Sequence, residues 1–76
     1  MTSKKLSELV SGEKGIIREI LRYKNENECM GIYPDMNIEV LTTDTAKGPC
    51  IIKSDNSGRE IIMKKEIASQ IIVDTE

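Results

Sequence analysis

Histidine, tryptophan and phenylalanine are absent from this 76-residue sequence, and Tyr23 and Tyr33 are its only aromatic residues. Histidine is the commonest general base and the commonest metal ligand in proteins, so the usual starting point for catalysis and metal binding is missing. Bases of single-stranded nucleic acids stack on aromatic side chains, and two tyrosines provide little stacking surface. We therefore expect neither an enzyme nor a nucleic-acid-binding protein.

Recognisable catalytic motifs are also missing. No serine or cysteine has a visible partner of the triad type. Gly12 and Gly15 lack the following Lys-Ser/Thr pair and the helix that would place them beneath a phosphate. The sequence predicts no catalytic residue, no metal ligand and no bound cofactor.

Neither sign of charge predominates, because eleven basic and thirteen acidic residues are interspersed along the sequence and give a net charge of −2. This pattern is typical of a mixed, solvated surface and not of a basic nucleic-acid interface. No stretch approaches the roughly 18 apolar residues of a membrane span. Residues 1–5 lack the apolar run of an export signal. We expect a cytoplasmic domain without membrane insertion, with reduced thiols.

The two cysteines, Cys29 and Cys50, allow two interpretations. They could form a soft metal site in which Met30 adds a further sulfur ligand. Alternatively, both are small buried hydrophobic residues, which is what free cysteines most often are. Their spacing is not the short Cys-x-x-Cys of structural zinc sites, which favours the second interpretation.

The middle of the sequence predicts a helix, a turn and a strand in close succession. Asn25 can cap a short helix, with Glu28 completing a capping box. Gly31 suits the left-handed position that ends a helix. Residues 33–36 (Tyr-Pro-Asp-Met) predict a tight turn, and residues 37–43 predict a strand rich in branched side chains.

Short strands are predicted along the rest of the chain. The predicted segments are a short strand or turn at residues 6–9, strands at 16–21, 49–54, 59–64 and 71–74, loops at 11–15 and 44–48, a hairpin loop at 55–58 and a helical turn at 65–70. Strand 16–21 places Ile16, Arg18 and Ile20 on one face and Ile17, Glu19 and Leu21 on the other. Apolar residues on both faces indicate strong curvature. We expect one all-β domain over residues 1–76, a small barrel or sandwich of five to six short strands with one short helix inserted after the first long strand.

A candidate partner-binding surface surrounds the proline turn. Its apolar members either fill one end of the barrel or form an adaptable contact surface at a loop-rich end. Arginines near the helix and the hairpin could pair with carboxylates or phosphates of a partner, or form plain surface salt bridges. The candidate residues are Met30, Ile32, Tyr33, Met36, Arg22 and Arg59.

Several segments, taken in order, resemble the ferrous iron transport protein A family, FeoA. They are residues 6–9 (Leu-Ser-Glu-Leu), 12–17 (Gly-Glu-Lys-Gly-Ile-Ile), 30–34 (Met-Gly-Ile-Tyr-Pro), 38–41 (Ile-Glu-Val-Leu), 48–49 (Gly-Pro) and the closing segment 61–73. The sequence departs from the family pattern at Asp35, where glycine is usual. It departs again at residues 26–29, which are acidic where the family tends to have an Arg- and Leu-rich helix.

The resemblance implies an SH3-like β-barrel with a small inserted helix. It also implies a cytoplasmic bacterial accessory protein that binds the cytosolic GTPase part of the membrane ferrous iron transporter FeoB. Two alternatives are an activator of GTP hydrolysis that supplies Arg22 or Arg59, and a metal sensor. The sensor would bind metal through Cys29, Cys50 and carboxylates. The resemblance also extends to the C-terminal domain of iron-dependent repressors, which shares the implied fold. A weak homo-oligomer also stays open.

Overall fold

The structure, a computed structural model, describes residues 2–42 and 49–75, which form six antiparallel strands and two short helices. The elements are β1 Thr2–Lys5, β2 Lys14–Ile20, α1 Lys24–Cys29, β3 Asn37–Thr42, β4 Cys50–Ser54, β5 Glu60–Met63, α2 Lys65–Ala68 and β6 Ile71–Thr75, with a 3₁₀ turn at Leu6–Glu8. The predicted loop at 44–48 lies outside the described residues. No helix in the described ranges is long and apolar enough to cross a membrane.

The described strands form one sheet in the order β1-β6-β2-β3-β4-β5. Strands β1 and β5 are its two edges and do not pair with each other, so the prediction of a closed barrel is wrong. The sheet still curls, because bulges interrupt the ladders between Ile17 and Glu19 on β2 and between Val40 and Thr42 on β3. A bulge bends its strand and increases the local twist without requiring closure.

The bulge on β2 changes which side chains face the core. Ile17 and Ile20 are three residues apart and both are buried, whereas Ile16 and Leu21 are exposed. Strict alternation predicted Ile17 and Ile20 on opposite faces. That prediction is wrong because the irregularity between Ile17 and Glu19 shifts the alternation by one residue.

The core lies inside the curl and contains side chains from every strand except β1. Leu6 and Leu9, from the 3₁₀ turn and the residue after it, are buried in this core, and the turn forms where a short strand or turn was predicted. Each fully buried Leu or Ile contributes about 1.5–3 kcal/mol of transfer free energy. The buried apolar residues are Leu6, Leu9, Ile17, Ile20, Ile32, Met36, Ile38, Val40, Cys50, Ile52, Ile61, Met63, Ala68, Ile71 and Val73.

Strand β1 has no apolar pattern and was not predicted. It forms because it pairs with β6 in the register Thr2↔Thr75 to Lys5↔Ile72. The Ser3 hydroxyl donates to the Asp74 carboxylate at 2.5 Å. This hydrogen bond, and more weakly the nearby Arg18 guanidinium at 3.5 Å, lowers the pKa of Asp74 against a smaller desolvation effect.

Helix α1 begins one residue earlier than the predicted cap. Tyr23 occupies the N-cap in a left-handed conformation, at φ 60° and ψ 39°. The Asn27 side-chain amide donates to the Tyr23 carbonyl at 2.9 Å, so Asn27, not Asn25, braces the start of the helix. Gly31 (φ 82°) ends the helix as predicted, and Asp35 adopts φ 72° in the turn, as its tolerance of that region allows.

Candidate functional site

A groove of about 320 Å³ lies between the end of α1 and the loop that joins β4 to β5. The groove is open to solvent, and all of its lining residues belong to the described ranges. Its walls come from the helix stop, the proline turn and the hairpin loop. The lining residues are Gly31, Tyr33, Met36, Ser54, Asn56, Ser57 and Arg59.

Arg59 connects the hairpin to the helix. Its Nη2 donates a hydrogen bond of 2.8 Å to the carbonyl oxygen of Met30, the C-cap residue of α1. The last carbonyls of a helix carry partial negative charge and lack helical partners, so a guanidinium is favoured there. The contact fixes the Arg59 head at the rim of the groove.

Gly31 allows that contact at close range. A Cβ built on Gly31 would overlap the Arg59 guanidinium. The left-handed φ of 82° also excludes most other residues at this position. Gly31 thus provides the helix stop, and its missing side chain leaves the space in which the Arg59 guanidinium reaches Met30.

The Arg59 side chain keeps binding capacity beyond this hydrogen bond. A guanidinium carries five N–H donors in a planar fork that suits a carboxylate or phosphate. Arg59 forms no ion pair with any acidic residue of the described ranges. The arrangement favours recognition of an anionic group at the groove rim.

Tyr33 forms the opposite rim and is 50% exposed. Its turn is tied to β2 by two backbone hydrogen bonds, from Asp35 N–H to the Ile17 carbonyl at 2.7 Å and from Ile17 N–H to the Met36 carbonyl at 2.9 Å. The ring is therefore presented on a fixed backbone. Tyrosine and arginine are among the residue types most enriched at binding hot spots.

The two cysteines lie in different environments. Cys50 is buried in the core on β4, which confirms the interpretation of a small hydrophobic residue at that position. Its burial raises the pKa of the thiol to about 11, with Lys65 opposing part of that shift. Cys29 lies exposed on α1, so the same interpretation is wrong there. The described residues contain no group of three or more Cys, Asp or Glu side chains placed to hold a metal ion.

A family model, the FeoA domain, matches residues 4–75. The chain belongs to the FeoA family. It is similar over the full length of both chains to a crystal structure described as "Iron Uptake Regulatory Protein (FeoA)", with 30% sequence identity and a TM-score of 0.88. A comparison with curated proteins gives no match.

Two further structures resemble this FeoA-family chain in fold. A FeoA-like protein from Clostridium acetobutylicum is 20% identical with a TM-score of 0.81, and the match covers 99% of this chain and 90% of the other. A manganese-dependent transcriptional repressor is 18% identical with a TM-score of 0.86, and the match covers 97% of this chain and 42% of the repressor. At these identities the likeness extends to the fold alone.

The groove contains part of the predicted partner-binding set. Tyr33, Met36 and Arg59 line it, and Met30 supplies the carbonyl that Arg59 binds. Ile32 and Met36 are only 1% and 3% exposed, so their side chains mainly fill the core beneath the groove.

The predicted set and the groove lining also differ in several residues. Arg22 precedes the opposite end of α1 and does not line the groove. The hairpin residues Ser54, Asn56 and Ser57 were missed. Their one available signal was their position just before Arg59.

Replacing Gly31 by alanine should lower the free energy of unfolding by about 2–3 kcal/mol. The left-handed backbone costs about 1–2 kcal/mol for a residue with a Cβ, and the methyl group also displaces Arg59 from Met30. Urea denaturation followed by circular dichroism measures the loss.

Gly58→Ala is the matched control, because Gly58 has φ 70° and only one Lys53 methylene, at 3.9 Å, near its added Cβ. The Gly31→Ala cost should fall to the Gly58→Ala cost in an Arg59→Ala background, where the overlapping side chain is gone. An unchanged Gly31→Ala cost in that background would contradict the assigned contact.

Proposed function

We propose that this FeoA-family chain is a small accessory protein of ferrous iron uptake that binds the cytosolic GTPase part of FeoB and modulates it. The observation that carries the proposal is the FeoA domain match over residues 4–75. The structural relative described as an iron uptake regulatory protein supports the same system. The groove between Tyr33 and Arg59 is the contact surface that we assign to this role.

The groove supports a binding role through its chemistry. Tyr33 offers an exposed ring with a polar end, and Arg59 offers a fixed guanidinium on the other side. A partner segment that places an acidic side chain on Arg59 and an apolar side chain against Tyr33 would satisfy both rims. An opening of about 320 Å³ admits one or two side chains, which corresponds to a small, transient interface.

Titration of the ¹⁵N-labelled chain with the soluble GTPase part of FeoB tests the proposal. Amide shifts should concentrate at residues 31–36 and 54–59. Tyr33→Ala and Arg59→Ala should each weaken binding about tenfold, equivalent to about 1.4 kcal/mol. Arg22→Ala is the matched control, because it removes an exposed arginine that does not line the groove.

Two results would count against this assignment. Spectra without any shift at concentrations up to about 1 mM would exclude the complex at affinities that matter for a transient contact. A larger loss with Arg22→Ala than with Arg59→Ala would move the interface to the other end of α1.

Modulation of the GTPase is a separate measurement. If Arg59 acts in trans on the nucleotide, turnover by FeoB should rise by a factor approaching 10³, the lower end of the range for arginine fingers, and Arg59→Lys should abolish the rise. If the chain modulates FeoB by docking alone, Arg59→Lys should retain most of any rate change. An equal turnover with and without the chain would leave binding without modulation, and the second half of the proposal would fail.

The likeness to a manganese-dependent repressor complexed with manganese, with a TM-score of 0.87 and 19% identity, favours a metal-sensing domain as the second candidate. Calorimetry with Mn²⁺ and with Fe²⁺ under reducing, anaerobic conditions tests it. Cys29→Ser combined with Cys50→Ser should abolish binding if the thiols are ligands. Metal binding that the double variant retains in full would end that role for the cysteines.

A further inference from the structure

Strand β5 is an edge of the sheet, and no strand of residues 2–42 or 49–75 pairs with its outer side. Ser54 N–H donates to the Arg59 carbonyl at 2.9 Å, which sets the phase of the β4–β5 ladder. In antiparallel pairs the hydrogen-bonded positions alternate, so with the register Ile52↔Ile61 the backbone groups of Ile61 and Met63 face β4. The backbone groups of Glu60 and Ile62 therefore point away from the sheet.

The side chains of β5 alternate in the same way. Ile61 and Met63 point into the core, whereas Ile62 is 64% exposed and lies beside Ile51 of β4 on the outer face. Lys64 continues in extended conformation, with φ −65° and ψ 144°, and is exposed. Glu60, Ile62 and Lys64 thus form an acidic, apolar and basic row along one edge.

The two edges of the sheet differ in their protection. Strand β1 carries Lys4 and Lys5, both exposed, and lysines on an edge discourage strand addition. Strand β5 instead carries an exposed isoleucine between charges of opposite sign. When a second copy of this row runs in the opposite direction, its basic end meets the acidic end of the first, so no like charges are placed opposite each other.

We propose that β5 pairs antiparallel with β5 of a second copy of this chain, about a two-fold axis that passes midway between the two Ile62 residues. In this register Ile62 is opposite Ile62 of the second copy, and the two exchange backbone hydrogen bonds through the groups that point away from β4. Glu60 is then opposite Lys64 of the second copy, and Lys64 is opposite its Glu60. The row is therefore self-complementary in apolar contact and charge, and in backbone at Ile62, whereas the Lys64 carbonyl accepts hydrogen bonds from the N–H groups of Ile67 and Ala68.

Apolar contact continues outward from the axis. Ile51 and Ile62 of each copy would form one row across four neighbouring strands on the outer face. The interface comprises one short strand per copy, which places it at the weak end of protein association. We expect a dissociation constant of about 10 µM to 1 mM, a range in which the equilibrium responds to local concentration.

Complementary charge variants test the proposal. Glu60→Lys places a positive charge opposite Lys64 of the second copy at both ends of the pairing. Lys64→Glu places a negative charge opposite Glu60 of the second copy at both ends. Each variant should self-associate at least tenfold more weakly than the wild type in sedimentation experiments between 20 µM and 1 mM. An equimolar mixture of the two should associate again, because antiparallel pairing then sets opposite charges against each other at both ends.

A mixture of Glu19→Lys and Lys4→Glu is the matched control, because it has the same net charges with the changes outside β5. That mixture should associate no more strongly than its components. Ile62→Asp should abolish association, whereas Val10→Asp, at an equally exposed site outside the strands, should leave it unchanged.

The proposal is overturned if the wild type is monomeric at 1 mM, or if Ile62→Asp associates like the wild type. It is also overturned if the mixture of Glu60→Lys and Lys64→Glu is as monomeric as its components. None of these measurements involves FeoB, so their outcome is separate from the outcome of the docking experiment.

Discussion

Replacing Gly15 by alanine should lower the free energy of unfolding by about 3 kcal/mol. A Cβ built on Gly15 would lie 2.5 Å from Val73 Cγ1 and 2.7 Å from the Asp74 carbonyl oxygen, both on the neighbouring strand β6. The carbonyl belongs to the sheet backbone and cannot move aside without breaking the ladder, so the cost reaches the upper part of the overpacking range. Domains of this size have roughly 3–5 kcal/mol of net stability, so the variant should retain only about 0–2 kcal/mol and should be partly unfolded near 37 °C.

Gly12→Ala separates crowding from backbone strain. Gly12 has φ 91°, but nothing lies within 4 Å of its added Cβ, so only the backbone strain of about 1–2 kcal/mol is expected. Thermal unfolding should show a decrease in Tm of at least about 10 °C for Gly15→Ala and roughly half of that or less for Gly12→Ala. A Gly12→Ala loss equal to or larger than the Gly15→Ala loss would contradict the close approach of β2 and β6.

Cys29 should react with iodoacetamide at least a hundred times faster than Cys50 in the folded protein. With a pKa of about 11, only about one Cys50 thiol in a thousand is ionised at pH 8, and the residue is buried in the core. Cys29 is exposed on α1. Intact-mass spectrometry should therefore show one label added rapidly and the second only after denaturation.

Single variants assign the two labels. Cys29→Ser should leave a chain that reacts slowly until unfolded, and Cys50→Ser should leave the rapid reaction unchanged. Rapid labelling of the folded Cys29→Ser chain would mean that Cys50 is accessible and would contradict its place in the core.

The same thiol links stability to alkaline pH. The Cys50 pKa is raised from 9.0 to about 11 on folding, so between these values the unfolded chain loses its proton first. The stabilising contribution is complete below pH 9 and is lost as the pH rises towards 11, to a total of at most about 2–3 kcal/mol. Cys50→Ala should lose less stability than the wild type over this interval in urea titrations at each pH.

Local chemistry allowed part of the structure to be predicted from the sequence. The hairpin loop at 55–58 and the helix stop at Gly31 depend on left-handed glycines, and both formed where predicted, with Gly58 at φ 70° and Gly31 at φ 82°. The capping preference of Asn25 failed, because Tyr23 accepts a strained φ of 60° that the Asn27 amide supports. No propensity scale anticipates a tyrosine in that role.

The long-range contacts could not be predicted from the sequence. The hydrogen bond between Arg59 and Met30 joins residues 29 positions apart, and nothing near either residue indicates the other. Strand β1 exists only through β6, and the bulge on β2 moved Ile20 into the core. The sequence therefore predicted the residues around the proline turn as a contact surface. It did not predict the groove itself, because the groove forms only where the hairpin loop meets the end of α1.

The pairing of β1 with β6 brings Thr2 opposite Thr75, on adjacent strands at one edge of the sheet. Antiparallel strands lie about 5 Å apart, so a short linker can connect these two points without disturbing the core. A surface loop of a host protein could therefore receive residues 2–75 as an insert, because the two junctions would lie side by side. A fluorescent reporter attached beside Thr2 would stand at the opposite sheet edge from β5.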